Sequence, residues 1–233
     1  TSTTDRVEAV KNADFIIISI EVGDRFELWD MDWNIPHQFG IDQVYGENGG
    51  PGGLFHALRI IPPILEICED IAELAPDAYV FNYSNPMTAI TTTVKRKFPE
   101  LNFIGMCHEI ASLERYLPSI LDTSWENISC RAAGLNHFSV MTEVSYKDTG
   151  KDAYADVMKR APALLENEPG FSELLAYYEK TGILYYTEGA QDRIILDSGI
   201  SVRPWSDRHL FRFIMENFGL FPITTDSHIG EYI

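Results

Sequence analysis

Blocks of apolar residues along this chain recur at two spacings, and the spacings separate strands from helices. Phe15-Ile16-Ile17-Ile18 is unbroken by any polar residue. Such a run, at residues 14–20, predicts a strand buried on both faces, the mark of a parallel sheet. Ala78-Tyr79-Val80-Phe81, within residues 77–83, predicts a second strand, and Leu101-Asn102-Phe103-Ile104-Gly105-Met106 a third. Between the first two, residues 54–74 carry Leu54, Leu58, Ile61, Leu65, Cys68 and Ile71 at helical spacing. Pro62 and Pro63 are expected to kink or restart that helix, because each lacks an N–H. A short helix at residues 89–98 leads into the third strand. Strand, helix, strand at this pace is a right-handed crossover and predicts an α/β sheet.

The flanking segments are less regular. Residues 5–12 read as a helix with Thr3 or Thr4 as cap. Residues 25–45, rich in Trp and Asp, read as a helix followed by a loop. Gly49-Gly50-Pro51-Gly52-Gly53 reads as a close-approach turn; it lacks the G-x-G-x-x-G order and no buried strand directly precedes it, so it is a weak phosphate signature. Residues 113–121 are helical in part. Residues 128–133 and 139–146 alternate as strands do, with Val140, Thr142 and Val144 on one face and Asn136-His137 in the join. Helices are expected at 152–166, 171–179 and 207–218, with Tyr177, Tyr178, Tyr185 and Tyr186 as an aromatic packing cluster. Residues 219–228 read as a polar turn. Together these predict part of a Rossmann-like parallel-sheet domain at 1–124, followed by part of a mixed, more helical α/β domain at 125–233.

Charge narrows the function. The 233 residues include 35 acidic and 18 basic side chains, for a net charge of −17. A nucleic-acid partner is not expected, since nothing supplies the basic field such binding needs. Three widely spread cysteines point to a reducing compartment, read here as cytoplasmic, rather than to a disulfide scaffold. No apolar run approaches the length of a membrane span. The chain starts just before its first helix and stops at Glu231-Tyr232-Ile233 with no closing element in view, as a piece of a longer chain would.

Candidate chemistry gathers between residues 101 and 137. Cys107-His108-Glu109 breaks from the end of the third strand, and Gly134-Leu135-Asn136-His137 closes the next strand. A thiolate and an imidazole delivered at two loop ends read as two ligands of one metal, whose shell waters, a substrate or a further side chain would complete. The alternative is a buried small thiol and a satisfied core histidine. Two more stretches place polar groups where strands leave the sheet, Ser19-Ile20-Glu21-Val22-Gly23 and Ser84-Asn85-Pro86-Met87. The density of Thr, Asp, Ser and His at 224–228 also exceeds what a plain turn requires.

Ser84-Asn85-Pro86-Met87, Gly105-Met106-Cys107-His108 and Ala133-Gly134-Leu135-Asn136-His137 resemble glycoside hydrolase family 4, the NAD- and metal-dependent glycosidases. Ser19 to Gly23, Gly52-Gly53 with Ala57-Leu58-Arg59, and the segment from Phe218-Gly219 to Glu231-Tyr232 extend the match over nearly the whole chain. The Cys-His-Glu wording and the Ser-His-Ile-Gly-Glu-Tyr ending look most like the α-galacturonidase and α-glucosidase members.

The resemblance implies a dinucleotide-binding domain and a second α/β domain that closes the site. It implies NAD and Mn²⁺ as cofactors, a small saccharide as substrate and a homo-oligomer. It matches Cys107 and His137 to the metal ligands, Asn85 and Asn136 to groups near sugar and cofactor, and Ser19 and Val22 to a cofactor-contacting strand end. Where some members carry an aspartate as candidate acid, this chain has His108. Asp226 is the nearest candidate for the base, with Thr225 one residue away, and His228 matches the histidine of the terminal His-x-x-Glu-Tyr pattern. For a uronate, Arg25, Arg59 and Arg131 are the candidate cations. The implied chemistry is hydride removal from C3 of the sugar, loss of the acidified C2 proton, cleavage of the C1–O bond, addition of water, and return of the hydride. Two rival readings are a 2-hydroxyacid dehydrogenase, which shares the Asn-Pro strand end, and a non-catalytic interaction module.

Overall fold

The structure is a computed structural model that describes residues 2–44, 46–166, 171–181, 194–197, 199, 201–202 and 208–232. The chain divides into two compact units, Thr1–Cys107 and His108–Ile233. The division precedes the helix at 113–121, which the boundary expected at 124/125 would leave with the first unit.

The first unit opens with α1 (Arg6–Val10), whose cap is Asp5, accepting from the Glu8 amide, rather than Thr3 or Thr4. Then come β1 (Phe15–Ile18), α2 (Arg25–Gln38), α3 (Gly50–Leu74), β2 (Tyr79–Asn82), α4 (Met87–Lys97) and β3 (Asn102–Gly105). The three strands are parallel in the order β1-β2-β3, with Ile16, Val80 and Phe103 in register. Asp24 caps α2 by accepting from the amides of Phe26 and Glu27.

The core of this unit lies between the sheet and two helices. Ile60, Ile64, Cys68 and Ile71 of α3 and Ile90 and Val94 of α4 pack with Ile18, Val80 and Phe103. Burial of β1 on both faces is not observed: Phe15 and Ile17 are 70% and 69% exposed, with Tyr79 and Ile104 exposed beside them. A parallel sheet needs cover on both faces, and α3 and α4 supply it on one. Of the stripe expected on α3, Cys68 and Ile71 are buried and Ile61 and Leu65 partly so, but at the helix start Leu54 and Leu58 are exposed while Ala57 and Ile60 face inward. The helix runs on through Pro62 and Pro63. Packing of Ile60 and Ile64, on either side of the prolines, holds its course where local hydrogen bonding cannot.

The glycine turn proves to be the first turn of α3. A Cβ on Gly52 would meet the carbonyl oxygens of Gly46 at 2.6 Å and Asp32 at 2.8 Å. Close backbone approach is what the glycine serves here.

The second unit contains α5 (Leu113–Leu121), a hairpin of β4 (Ile128–Leu135) and β5 (Phe138–Tyr146), α6 (Tyr154–Leu165), α7 (Phe171–Thr181), the pair β6 (Ile194–Ile195) and β7 (Ser201–Val202), α8 (His209–Phe218), β8 (Phe221–Pro222) and α9 (Asp226–Ile229). Its antiparallel sheet has the order β4-β5-β8. The register slips at Thr142, since Arg131 pairs with Glu143 but Ala132 with Met141. This bulge breaks the alternation expected of β5: Ser139 and Met141 are buried before it, Val144 after it. Leu113, Leu117, Met141, Val144, Val157, Ala161, Phe211, Met215 and Phe221 form the core.

The segment at 219–228 is no solvated turn. Phe221–Pro222 joins the sheet, and residues 221–227 are all buried. Tyr185, Tyr186 and Asp207 lie outside the described residues. No helix among the described residues is long and apolar enough to cross a membrane.

Candidate functional site

In the first unit, the sequence candidates lie where the parallel strands end, the edge at which such sheets bind ligands. Ser19 and Val22 follow β1, Asn85 follows β2, and Cys107, half-buried, follows β3. One hydroxyl stitches two of these ends together. Ser84 Oγ donates to the Ile20 carbonyl (2.7 Å) and accepts from the Ile20 amide (2.8 Å). Asn82, fully buried, donates its side-chain amide to the Ser84 carbonyl (2.9 Å), and its backbone carbonyl accepts from the Met106 amide (2.8 Å). The loops carrying Asn85 and Cys107 are thereby anchored to the sheet.

Beyond β1 a cluster of charges surrounds a small cavity. Arg59 forms a bidentate pair with the buried carboxylate of Asp32, Nη1 to Oδ1 at 3.0 Å and Nη2 to Oδ2. Arg25 meets Glu47 at 2.7 Å, and His56 meets Glu21 at 3.4 Å. Arg131, in the second unit, lies 3.6 Å from Glu143 on an exposed surface. The three arginines considered for an anionic sugar are thus each engaged with a carboxylate.

In the second unit the hairpin tip presents His137. Asn136 and His137 form a two-residue turn between β4 and β5, and His137 adopts φ +64°. That left-handed geometry is unfavourable for a histidine. Glu109 helps hold it: Oε2 accepts from the His137 amide (3.0 Å) while Oε1 accepts from Ser139 Oγ (2.7 Å), so one buried carboxylate bridges the turn. The ring is held separately, with Nδ1 2.7 Å from Glu231 Oε2. Both amide atoms of the Asn136 side chain are buried and have no hydrogen-bond partner among the described residues. A buried amide normally has a hydrogen-bond partner, and this one adjoins the histidine.

Asp226 has a defined place. Its Oδ2 accepts from the Leu210 amide and its Oδ1 from the Phe211 amide, both at 2.8 Å. These are the second and third residues of α8, and the residue at the cap position, Arg208, makes no side-chain capping bond. Asp226 therefore caps α8 from α9, with a negative charge at the positive end of the helix.

His228 is nearly enclosed. Its Nδ1 is 2.7 Å from Thr225 Oγ1, and its ring lies edge-on to that of His137 with centroids 4.3 Å apart. His108, exposed, is 6.2 Å from His228 on the same measure. Burial, reinforced by His137, His108 and the buried Arg208, pushes the His228 pKa well below the ordinary histidine range. It is a neutral hydrogen-bonding ring rather than a proton carrier near pH 7.

The structure thus brings His108, His137 and His228 together in the second unit and places Cys107 at the end of the first. Among the described residues, no group of three or more His, Cys, Asp or Glu side chains is arranged to hold a metal. A metal on the His137 ring would need further ligands, and the Asn136 amide beside it is chemically suited to supply one. Sequence reasoning did not single out Glu109 or Glu231. Both lie within motifs it did notice, one residue from His108 and three from His228.

A sequence model described as Family 4 glycosyl hydrolase matches residues 1–123. The chain belongs to glycosyl hydrolase family 4. Within the family it is 64% identical to an alpha-glucosidase of Erwinia rhapontici over 232 residues, 100% of this chain and 51% of that protein. It is 30% identical to an alpha-galacturonidase of Thermoanaerobacter italicus over 238 residues, 97% of this chain and 45% of that one. Among solved structures, a 6-phospho-alpha-glucosidase from gut microorganisms, in complex with NAD and Mn²⁺, superposes with a TM-score of 0.69 at 25% identity. That match covers 99% of this chain and 46% of the other. The chain spans about half the length of the relatives it matches.

Proposed function

We propose that the whole protein cleaves α-glucosides with NAD and Mn²⁺ as cofactors, by the oxidation and elimination route of the family. The observation that carries this reading is the Asn136-His137 turn, where a histidine held at ring and backbone adjoins a buried amide with no partner among the described residues. NAD, when bound, would supply the hydride acceptor, and the metal a Lewis acid for oxygens of the sugar.

The chain's own groups prepare the site. Cys107 and His137 keep the metal-ligand role that the family resemblance gives them, and Asn136 offers its amide to sugar or metal. Ser19, Val22 and Asn85 meet the cofactor from the strand ends, with Asn85 also near the sugar. His228 serves as a neutral hydrogen-bonding partner and His108 as the candidate acid. Asp226, proposed as base from the family pattern, has both carboxylate oxygens on backbone amides here, so we assign it to positioning α9.

A neutral glucoside fits better than a uronate. Arg25, Arg59 and Arg131 already face carboxylates, and the 64% identical relative is an alpha-glucosidase. Arg59, a substrate candidate by sequence, accordingly becomes a partner of Asp32. The three cysteines are free thiols, which supports a cytoplasmic location; a homo-oligomer rests on the family resemblance alone.

The test is turnover of a small panel, an aryl α-glucoside, an aryl α-galacturonide and a 6-phosphoglucoside, by the full-length protein with and without NAD⁺ and Mn²⁺. The α-glucoside should be cleaved fastest, and only with both cofactors. Equal turnover without NAD⁺ rules out the route, and preference for the galacturonide rules out the substrate.

A further inference from the structure

We infer that Glu231 is a positioning residue for the metal site: its carboxylate fixes the ring orientation and tautomer of His137. The inference rests on the reading of His137 as a metal ligand.

The geometry is specific. His137 Nδ1 and Glu231 Oε2 are 2.7 Å apart, and the two side chains are 4% and 2% exposed. A carboxylate only accepts, so Nδ1 carries the proton, and coordination falls to Nε2. Metal-bound histidines are commonly oriented in this way through the second nitrogen, and loss of such a partner typically weakens metal binding by about 10- to 100-fold. The contact is buried, so water does not substitute for it readily.

Glu231 is itself held by the fold. It lies in the single 3₁₀ turn that follows α9. The carboxylate of Asp226 fastens α9 to the start of α8, and Thr225 Oγ1 bonds both Ser227 Oγ (2.9 Å) and His228 Nδ1 (2.7 Å). From the other side, Glu109 fixes the His137 backbone. Ring and backbone of one histidine are thus set by two different carboxylates, one from each flank of the sequence. A histidine packed only as core would not need both.

The test compares full-length wild type with Glu231→Gln, Glu231→Ala and His137→Ala. Mn²⁺ affinity is read from the EPR signal of free Mn²⁺, the Co²⁺ ligand-field absorption is recorded at saturation, and melting temperature is measured without metal. Glu231→Gln keeps the volume but removes the charge and scrambles donor and acceptor. It should raise the Mn²⁺ Kd about tenfold or more and shift the Co²⁺ bands while melting close to wild type. Glu231→Ala, if it folds, should weaken binding at least as much; if it does not, Glu231→Gln decides.

Wild-type Mn²⁺ affinity in Glu231→Gln, with binding lost in His137→Ala, overturns the inference and leaves the ligand reading intact. Weakened affinity with unchanged Co²⁺ bands at saturation also overturns it, because a merely structural role would give that result. Wild-type affinity in His137→Ala overturns the ligand reading itself, and the inference falls with it.

Discussion

Replacing Asp226 by asparagine separates a structural carboxylate from a catalytic one. In the structure both oxygens accept backbone N–H bonds at the second and third residues of α8, each at 2.8 Å. Asparagine keeps one acceptor and turns an NH₂ group toward the other amide, leaving a buried donor facing a donor. Hydrogen bonds to a charged group are worth about 1.5–3 kcal/mol each, and removing the partner of a buried donor costs about 1–3 kcal/mol. Loss of the charge at the helix start adds roughly 0.3–1 kcal/mol. Since one of the two bonds survives in weaker form, we expect Asp226→Asn to lose about 2–4 kcal/mol. Urea unfolding of the full-length protein, followed by circular dichroism, reads this as a lower midpoint at unchanged slope. Turnover by the folded fraction should stay within about tenfold of wild type, whereas removal of a general base typically costs about 10²- to 10⁴-fold. An unchanged midpoint with turnover reduced a thousandfold would refute the assignment and return Asp226 to the role of base.

Asn136→Ala should behave in the opposite way. It removes two buried polar atoms that have no partner among the described residues, so melting temperature should hold or rise while KM for the glucoside rises at least tenfold. Gly52→Ala should lose roughly 1–3 kcal/mol in urea unfolding, because its Cβ meets two backbone carbonyls that cannot move aside. Burial pushes the Cys68 thiol from an ordinary value of 9.0 up to about 12. A raised folded-state pKa favours the neutral form, so this contribution is fully present below pH 9 and declines as pH rises toward about 12. Stability of a Cys68→Ser variant should lack that alkaline decline, and mass spectrometry should find wild-type Cys68 alkylated by iodoacetamide only after unfolding.

The strands of the first unit were legible because their signal is local: each is a short apolar run ended by polar or glycine-containing residues. Their exposed face was not, since an apolar run says that a strand prefers cover and cannot say whether an element supplies it; Phe15 and Ile17 remain open. The stripe on α3 was legible at Cys68 and Ile71 and misjudged at its start, where two apolar faces compete and packing against the sheet selects Ala57 and Ile60 over Leu54 and Leu58. At the bulge, one extra residue, Thr142, reverses the alternation of β5. The supports of the site were hidden for a different reason. Glu109 and Glu231 meet His137 across 28 and 94 residues of sequence, and their meaning exists only once the hairpin and α9 are folded. Asp226 shows the complementary limit. A carboxylate among Thr, Ser and His reads as chemistry, yet a distant helix lacking its own cap uses both of its oxygens.

The measurement closest to the central claim is deuterium at C2 of the sugar released when the full-length protein cleaves an aryl α-glucoside in D₂O. Oxidation at C3 followed by proton loss at C2 predicts solvent deuterium at that carbon, detected by NMR of the product, and only when NAD⁺ is present. Product with protium at C2, formed equally well without NAD⁺, would contradict the account.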